Sequence, residues 1–351
     1  MKPHQLWLSL VLIAGLISLS ACGASTPAPE PGPAPTTAPA DPTSEPIAPP
    51  TEAPTQAPTP TTAPATEPIV IGVLVDAGNL APYGEEVWRG LQLGLRYATD
   101  GRLAVAGRPL QLLREEVAAA DTAIAAVNRL ASEQAALLVG PVGSNSAITV
   151  SGLIEGIVRG GLVYFATSGA PRLTAENWSP NLFRLCAVYP ADGPIIPATA
   201  QAAVTTQFFG NRDVPALSPD SVGQVGLLPY HYAFLNNAAN EWLVEQYRAE
   251  YGTSPDVDTE CGFATGQAIV AGPTATGGES AAAQLIPALE GLAFDGPRGA
   301  YQIRAEDHQG LAPVFIVRLA NTSDPEQKYF ELLQEIPGAE SGLPCAAAAC
   351  P

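Results

Sequence analysis

Short apolar runs alternate with longer amphipathic segments over residues 69–167. The apolar runs are rich in β-branched residues and have the length of strands, at 69–76, 109–117, 135–140 and 162–167. In the intervening segments apolar residues recur every three or four positions, as in helices packed on a sheet, at 83–101, 121–134 and 144–160. This alternation predicts an α/β fold whose parallel sheet is built from right-handed βαβ units.

The later part of the chain has a different pattern. Helical segments are predicted at 236–252, 260–272 and 279–292, and a strand is predicted at 312–320. We therefore expect this part to be mostly helical.

The N-terminus has the pattern of a targeting segment. Lys2 precedes an apolar run at 6–21 that is short for a membrane span, and the letters LSAC occupy 19–22. This ending resembles the lipobox of bacterial lipoproteins, which implies a signal peptide over 1–21 and a lipid on Cys22. An ordinary signal peptide or an uncleaved anchor is the alternative.

A stalk is predicted to follow, over residues 22–68. It consists largely of Pro, Ala, Thr and Glu, and from Gly23 to Pro68 it contains no Lys or Arg. Such a segment cannot bury a core and favours extended polyproline conformations. We expect it to hold a folded domain away from a membrane surface.

Charge and motifs exclude several classes of function. The formal net charge is −18, with 16 Lys and Arg against 34 Asp and Glu, which argues against nucleic acid and anionic lipid surfaces. No nucleophile elbow, phosphate-binding loop or metal-ligand motif occurs, so we expect neither an enzyme nor a cofactor or metal. Beyond Cys22, four cysteines allow three disulfide pairings, which the sequence leaves open: Cys186, Cys261, Cys345 and Cys350.

Polar side chains follow two neighbouring strands where each strand ends. Ser144, Asn145 and Ser146 lie between a strand and a helix, and Thr167 and Ser168 follow the next strand. Ligands of parallel sheets bind at the carboxyl ends of the strands, and a helix N-terminus attracts a carboxylate. With loop carbonyls to accept an ammonium group, the pattern predicts a zwitterion such as a free amino acid. Ordinary N-capping is the alternative interpretation.

Several blocks of the sequence resemble a known family. The blocks are IVIGVLVDAGNLAPYGEEVWRGLQLGL (69–95), GRPLQLLREEVAAADTAIAAVNRLASEQAALLVGPVGSNSA (107–147) and GLVYFATSGAPRLT (161–174). Their order and spacing resemble the branched-chain amino acid (Leu/Ile/Val)-type substrate-binding lipoproteins of ABC importers. The resemblance implies the type I periplasmic-binding-protein fold, with two Rossmann-like lobes, and a permease as partner.

The resemblance also implies roles for individual residues. A serine after the glycine turn holds the α-carboxylate of the ligand, and this position corresponds to Ser144. The loop after the next strand supplies a carbonyl for the ammonium group, corresponding to Ala166, and a hydroxyl for the carboxylate, corresponding to Ser168. Because this loop is one residue longer here, the hydroxyl is alternatively that of Thr167.

Two further positions complete the implied site. A tyrosine near the end of the first strand lines the side-chain pocket, corresponding to Tyr83. An acidic residue of the second lobe pairs with the ammonium group, and Asp213 is the nearest match, displaced by one position.

The sequence departs from the family in its second lobe. The segment at 183–204 runs almost directly into TTQFFG, so two or three βαβ units are absent and we expect a truncated second lobe. The expected domains are lobe 1 at 69–186 and 232–292, lobe 2 at 187–231 and 293–336, and a tail at 337–351.

These expectations define a function and its rivals. The primary hypothesis is an extracytoplasmic lipoprotein that captures a branched-chain amino acid or similar zwitterion for an ABC importer. One alternative is a receptor domain of the same fold that senses an amino acid, an amide or urea. The other is a degenerate surface lipoprotein that binds no ligand tightly.

Overall fold

A computed structural model describes residues 67–157, 161–188, 204–341, 344–345 and 350. The predicted signal peptide, Cys22 and all but the last two residues of the predicted stalk lie outside these residues. Among the described helices, none is both long and apolar enough to cross a membrane.

The described secondary structure alternates at first and then changes character. The strands are β1 (Ile69–Asp76), β2 (Ala104–Val105), β3 (Arg108–Val117), β4 (Leu137–Val139), β5 (Val163–Phe165), β6 (Leu182–Phe183), β7 (Thr206–Gln207), β8 (Val225–Leu228), β9 (Ala293–Gly296), β10 (Gly299–Ile303), β11 (Gly310–Leu311), β12 (Val314–Leu319) and β13 (Phe330–Ile336). The α-helices are α1 (Ala81–Ala98), α2 (Ala120–Ser132), α3 (Ser144–Ile157), α4 (Ala238–Tyr251), α5 (Val257–Ala275), α6 (Ala282–Leu289) and α7 (Gly338–Ser341).

The first sheet has the order β2-β3-β1-β4-β5-β6 and is parallel except for the β2–β3 hairpin. β1 is central, with Ile71 opposite both Leu112 of β3 and Leu137 of β4. Because all the parallel strands run the same way, the turns after β1, β4 and β5 lie at one edge of the sheet. The predicted α/β fold with a parallel sheet is confirmed.

Apolar side chains cover both faces of this sheet. On one face Ile71 and Val73 pack in a buried cluster with residues of α1, α5 and α6, among them Leu91 and Leu285. On the other face Leu74 packs in a second cluster with residues of α2 and α3. β1 therefore alternates its side chains between two helical layers, as a central strand of a three-layer fold does.

Helices α1 and α5 are in main-chain contact through glycines on both helices. The facing positions are four residues apart on each helix: Gly90, Gly94, Gly262 and Gly266. A Cβ atom added at any of them would overlap main-chain atoms of the other helix, such as the carbonyl oxygen of Val87 for Gly262. Small residues at this spacing therefore let the two backbones approach more closely than larger side chains would allow.

The second sheet has the order β13-β12-β8-β7 and is mostly antiparallel. β7 and β8 pair in parallel, whereas β12 pairs antiparallel with both β8 and β13. A third sheet, β11-β10-β9, is antiparallel, and its Tyr301 and Ile303 belong to the buried cluster of the first sheet.

The mostly helical expectation for the later chain is therefore wrong in part. The sequence did not predict β9, β10 and β11, because they have only four, five and two residues, or β13, because its letters FELLQEI do not alternate between apolar and polar. Tyr301 of β10 packs in the buried cluster of the first sheet. The expected boundaries of lobe 1 and lobe 2 stay predictions. The expected truncation of lobe 2 stays a prediction.

Two disulfides settle the pairing that the sequence left open. Cys186, just after β6, pairs with Cys261 of α5, and Cys345 pairs with Cys350. The first bond joins a segment leaving the first sheet to the helix that contacts α1. The second closes a short loop near the C-terminus.

The glycine contact can be tested by Gly262→Ala, with Gly152→Ala as its matched control. Overpacking against the Val87 carbonyl is expected to lower the free energy of unfolding by about 1–3 kcal/mol. Gly152 is exposed in α3 and a Cβ there would meet no atom within 4 Å. Its replacement is expected to raise stability by up to about 1 kcal/mol through helix propensity. Urea denaturation measures both; equal gains in stability would contradict the close contact.

Candidate functional site

A cleft of about 640 Å³ opens at the carboxyl ends of β1, β4 and β5. Loops after these strands form one side, and the loop after β7 and the start of α5 form the other. The lining residues are Leu80, Tyr83, Val142, Ser144, Asn145, Ile148, Thr167, Gly169, Ala170, Pro171, Arg172, Phe209, Asp213 and Asp258. The cleft thus lies where ligands bind in open parallel sheets.

The structure brings together most of the residues that the sequence singled out. Tyr83, Ser144, Asn145, Thr167 and Asp213 all line the cleft. They come from four separate parts of the chain, so the fold rather than sequence proximity assembles them. Their contact with a ligand stays a prediction.

The other three predicted residues lie behind the cleft lining. Ser146, Ala166 and Ser168 are 8%, 1% and 0% exposed. The Ser168 hydroxyl accepts a hydrogen bond from the N–H of Ala170 at 3.3 Å and lies 3.4 Å from the hydroxyl of Ser144. Of the two residues whose hydroxyls the sequence left open, only Thr167 lines the cleft, and its buried hydroxyl lacks a hydrogen-bond partner among the described residues.

A buried carboxylate fixes the loop between β4 and α3. Asp76, the last residue of β1, accepts hydrogen bonds from the N–H groups of Val142 at 2.7 Å and Gly143 at 3.0 Å. Burial raises the pKa of Asp76, although these two bonds oppose the shift. Asp76 therefore occupies the N–H groups just before α3. The N–H groups in the first turn of α3, beginning at Ser144, have no intrahelical partners.

A second carboxylate fixes the loop on the opposite side. Asp256 caps α5 and accepts hydrogen bonds from the N–H groups of Asn211 at 2.9 Å and Arg212 at 2.8 Å. Gly210 has a φ of +151°, and a Cβ atom there would lie 2.7 Å from the Asp256 carboxylate oxygens. Glycine is therefore needed at this position for Asp256 to reach the loop that carries Asp213.

A fully buried arginine donates hydrogen bonds to the segment that follows β5. Arg184 donates from Nη1 to the carbonyl oxygen of Ala170 at 2.6 Å and from Nη2 to the hydroxyl of Thr174. Burial lowers the pKa of Arg184 to about 9, so the side chain is still protonated at neutral pH. It positions the loop that includes Thr167 without lining the cleft itself.

Two polar contacts join α1 to the loop after β7. The Tyr83 hydroxyl donates to Asp213 Oδ1 at 2.8 Å, and Arg212 forms an ion pair with the buried Glu86. Burial and the Asp213 carboxylate raise the pKa of Tyr83 to about 12, so Tyr83 remains a neutral donor. These contacts hold Asp213 at the cleft edge.

Asp258 is a cleft residue that the sequence did not predict. It lies in the first turn of α5, and among the described residues it has neither a hydrogen-bond nor an ion-pair partner. Burial, then the charge of Asp256, raise its pKa to about 8; Asp213 and Asp76 add to this effect, and Arg212 opposes it. The sequence PDVDTE at 255–260 has the pattern of a helix N-terminus. The position of Asp258 in the cleft is evident only from the fold.

The cleft therefore has two chemically different sides. The hydroxyl and helix N–H groups at Ser144 and the hydroxyl of Thr167 suit a carboxylate, and the carboxyl groups of Asp213 and Asp258 suit a cationic nitrogen. Between these sides the lining is largely apolar. Such an arrangement can orient a small molecule that carries both kinds of charge.

Comparison with known proteins agrees with this architecture. Residues 197–324 match the model of a family described as periplasmic binding protein. No curated protein sequence matches the chain. The family description is that of a binding protein, in agreement with the expectation that this chain is not an enzyme.

Solved structures of similar fold align with this chain over almost their whole length. An ABC-type branched-chain amino acid transporter from Rhodopseudomonas palustris CGA009 has a TM-score of 0.66 and 20% identity, over 80% of this chain and 99% of that chain. A leucine-, isoleucine-, valine-, threonine- and alanine-binding protein from Brucella ovis, in a closed conformation, has a TM-score of 0.67 and 14% identity, over 82% and 99%. A solute-binding protein from R. palustris in complex with benzoate has a TM-score of 0.63 and 20% identity, over 81% and 99%. The chain has the type I periplasmic-binding-protein fold.

Asp258→Asn tests the electrostatics of the cleft. In the folded state the pKa of Asp258 is about 8, whereas its ordinary value is 3.8. Between these pH values the folded state therefore binds more protons at this residue than the unfolded state does. Stability contributed by this group therefore falls as pH rises through that window. We expect Asp258→Asn to match the parent at about pH 4 and to melt at a higher temperature at pH 8.

The matched control is Asp220→Asn, since Asp220 is exposed and lies outside the cleft. Thermal melting of both variants over the pH range measures the effect. A constant difference between Asp258→Asn and the parent from pH 4 to pH 8 would contradict the raised pKa.

Proposed function

We propose that this protein is the extracytoplasmic solute-binding component of an ABC importer and captures a small amino acid. The observation that carries the proposal is the two-sided cleft, with donors at Ser144 and Thr167 and carboxylates at Asp213 and Asp258. The periplasmic-binding fold supports an importer, because the similar structures include ABC transporter components that bind solutes.

The cleft favours an amino acid over an aromatic acid. Similar structures include complexes with benzoate and with 3,4-dihydroxybenzoic acid, which are anions without an amine. In this chain Arg172, which lines the cleft, forms an exposed ion pair with Glu176, while Asp258 has no partner among the described residues. A ligand that brought only a carboxylate would add a second anion to the cleft that Asp213 lines and would leave Asp258 without a cationic partner.

The amino-acid class follows from the sequence resemblance and from the cleft walls. Leu80, Val142, Ile148 and Phe209 give the cleft an apolar surface against which an aliphatic side chain would pack. Branched-chain amino acids are therefore the first ligands to examine. Thermal shift and calorimetry on the purified chain with leucine, leucinamide and benzoate test the class.

Ser144→Ala is expected to weaken leucine binding by about 1.5–3 kcal/mol, the range for a hydrogen bond to a charged group. Binding of leucinamide, which lacks the carboxylate, is expected to change much less. Ser132→Ala is the matched control, because Ser132 is an exposed serine of α2 whose hydroxyl donates only to the Arg129 carbonyl. Equal affinity of the parent for leucine and leucinamide would remove the carboxylate role of Ser144.

The same proposal includes a lipid anchor on Cys22. Support comes from the LSAC ending of a short apolar run and from the Pro-rich segment after it. Cys22→Ser is expected to release the protein from the membrane fraction, because one acylated cysteine would be lost while the folded domain is unchanged. Cell fractionation measures this; a variant that stays wholly with the membrane would show that the apolar run itself is the anchor.

A further inference from the structure

The cleft contains more carboxyl groups than one ammonium group requires. Asp213 and Asp258 both line it, and the carboxylates of Asp76 and Asp256 lie near enough to raise the pKa of Asp258. Among the described residues, the cation that opposes this effect is Arg212, whose guanidinium is paired with Glu86. A cation that binds beside Asp258 would therefore favour the ionised form of this residue and offset the effect of the surrounding carboxylates.

The two lining carboxylates differ in their surroundings. Asp213 is held by the Tyr83 hydroxyl at 2.8 Å, whereas Asp258 lacks a partner throughout the described part of the chain. They also belong to different elements, Asp213 to the loop after β7 and Asp258 to the first turn of α5. Two separate acceptors for positive charge are thus available.

An independent observation marks the same cleft as a binding site. Thr167 is 3% exposed and lines the cleft, yet its hydroxyl has no hydrogen-bond partner among the described residues. A buried hydroxyl without a partner is costly unless a ligand or water satisfies it. Thr167 follows β5 on the side of Ser144, where the carboxylate of an amino acid is expected.

The shape of the lining adds a third constraint. Leu80, Ile148 and Phe209 provide apolar contact area, and Asp258 provides a carboxylate in the same cleft. An aliphatic stem that ends in a cation matches this combination, since long basic side chains bury their methylenes and keep the charged end at a polar group. A branched-chain side chain would pack against the walls but leave the Asp258 carboxyl without a partner.

Resting on the function proposed above, we propose that the captured amino acid carries a second positive charge at the end of an aliphatic side chain, and that Asp258 receives it. Asp213 then faces the α-ammonium group, and Ser144 and Thr167 face the α-carboxylate. The ligand class is that of basic amino acids, such as lysine, ornithine and arginine.

Lysine and norleucine make a matched pair of probes, because they share a straight four-carbon stem and differ in the terminal cation. Calorimetry on the purified full chain is expected to show lysine binding about ten- to a hundredfold more tightly than norleucine. Asp258→Asn is expected to abolish this preference, and Asp220→Asn, outside the cleft, is expected to preserve it. Asp258→Glu, which keeps the charge, is expected to restore much of the preference.

A second readout separates a direct role of Asp258 from a structural one. Burial keeps Asp258 largely protonated at pH 7, and a bound cation would lower its pKa and release the proton. Lysine binding in buffers of different ionisation enthalpy is therefore expected to report proton release. Norleucine binding, and lysine binding to Asp258→Asn, are expected to report much less.

The outcomes distinguish this inference from the function on which it rests. If leucine or norleucine binds as tightly as lysine, the inference is overturned and the amino-acid function stands. The same holds if Asp258→Asn weakens lysine and norleucine equally. If no amino acid binds to the parent protein, both the function and the inference are overturned.

Discussion

The main-chain contact between α1 and α5 is the constraint on which the cleft depends. Glycines on both helices bring the backbones together, so neither helix can shift without opening a gap or a clash. α1 begins near the end of β1 and carries Tyr83 and Glu86, whereas α5 begins with Asp256 and Asp258. The contact therefore sets the distance between the two sides of the cleft before any side chain in it interacts.

The sequence predicted the first sheet well because its signals are local. Strands and helices alternate over 69–167, and each has enough apolar residues to show its period. Short strands such as β9 and β11 contain too few positions for that signal. The glycine spacing of the α1–α5 contact was present in the letters, but a glycine in a helix indicates close packing only once its partner helix is known.

For the candidate site, the same distinction holds residue by residue. Ser144 and Thr167 were predicted because each follows a strand directly, and strand ends of a parallel sheet converge at one edge. Asp258 was missed because its place in the cleft requires α5 to return to that edge after more than a hundred residues of intervening chain. Arg184 was missed for a related reason, since a buried arginine bonded to loop atoms has no pattern of its own in the sequence.

Asp76 and Asp256 hold the two cleft-lining loops through main-chain N–H groups alone. These bonds do not depend on which side chains the loops carry, although the Tyr83–Asp213 and Arg212–Glu86 contacts add side-chain support to the loop after β7. Side chains that line the cleft can therefore change during evolution, and the bound ligand with them, while the main-chain conformation of the loops is largely kept. A lineage that retained the two aspartates and Gly210 would be free to acquire new ligands through positions such as 144 and 258.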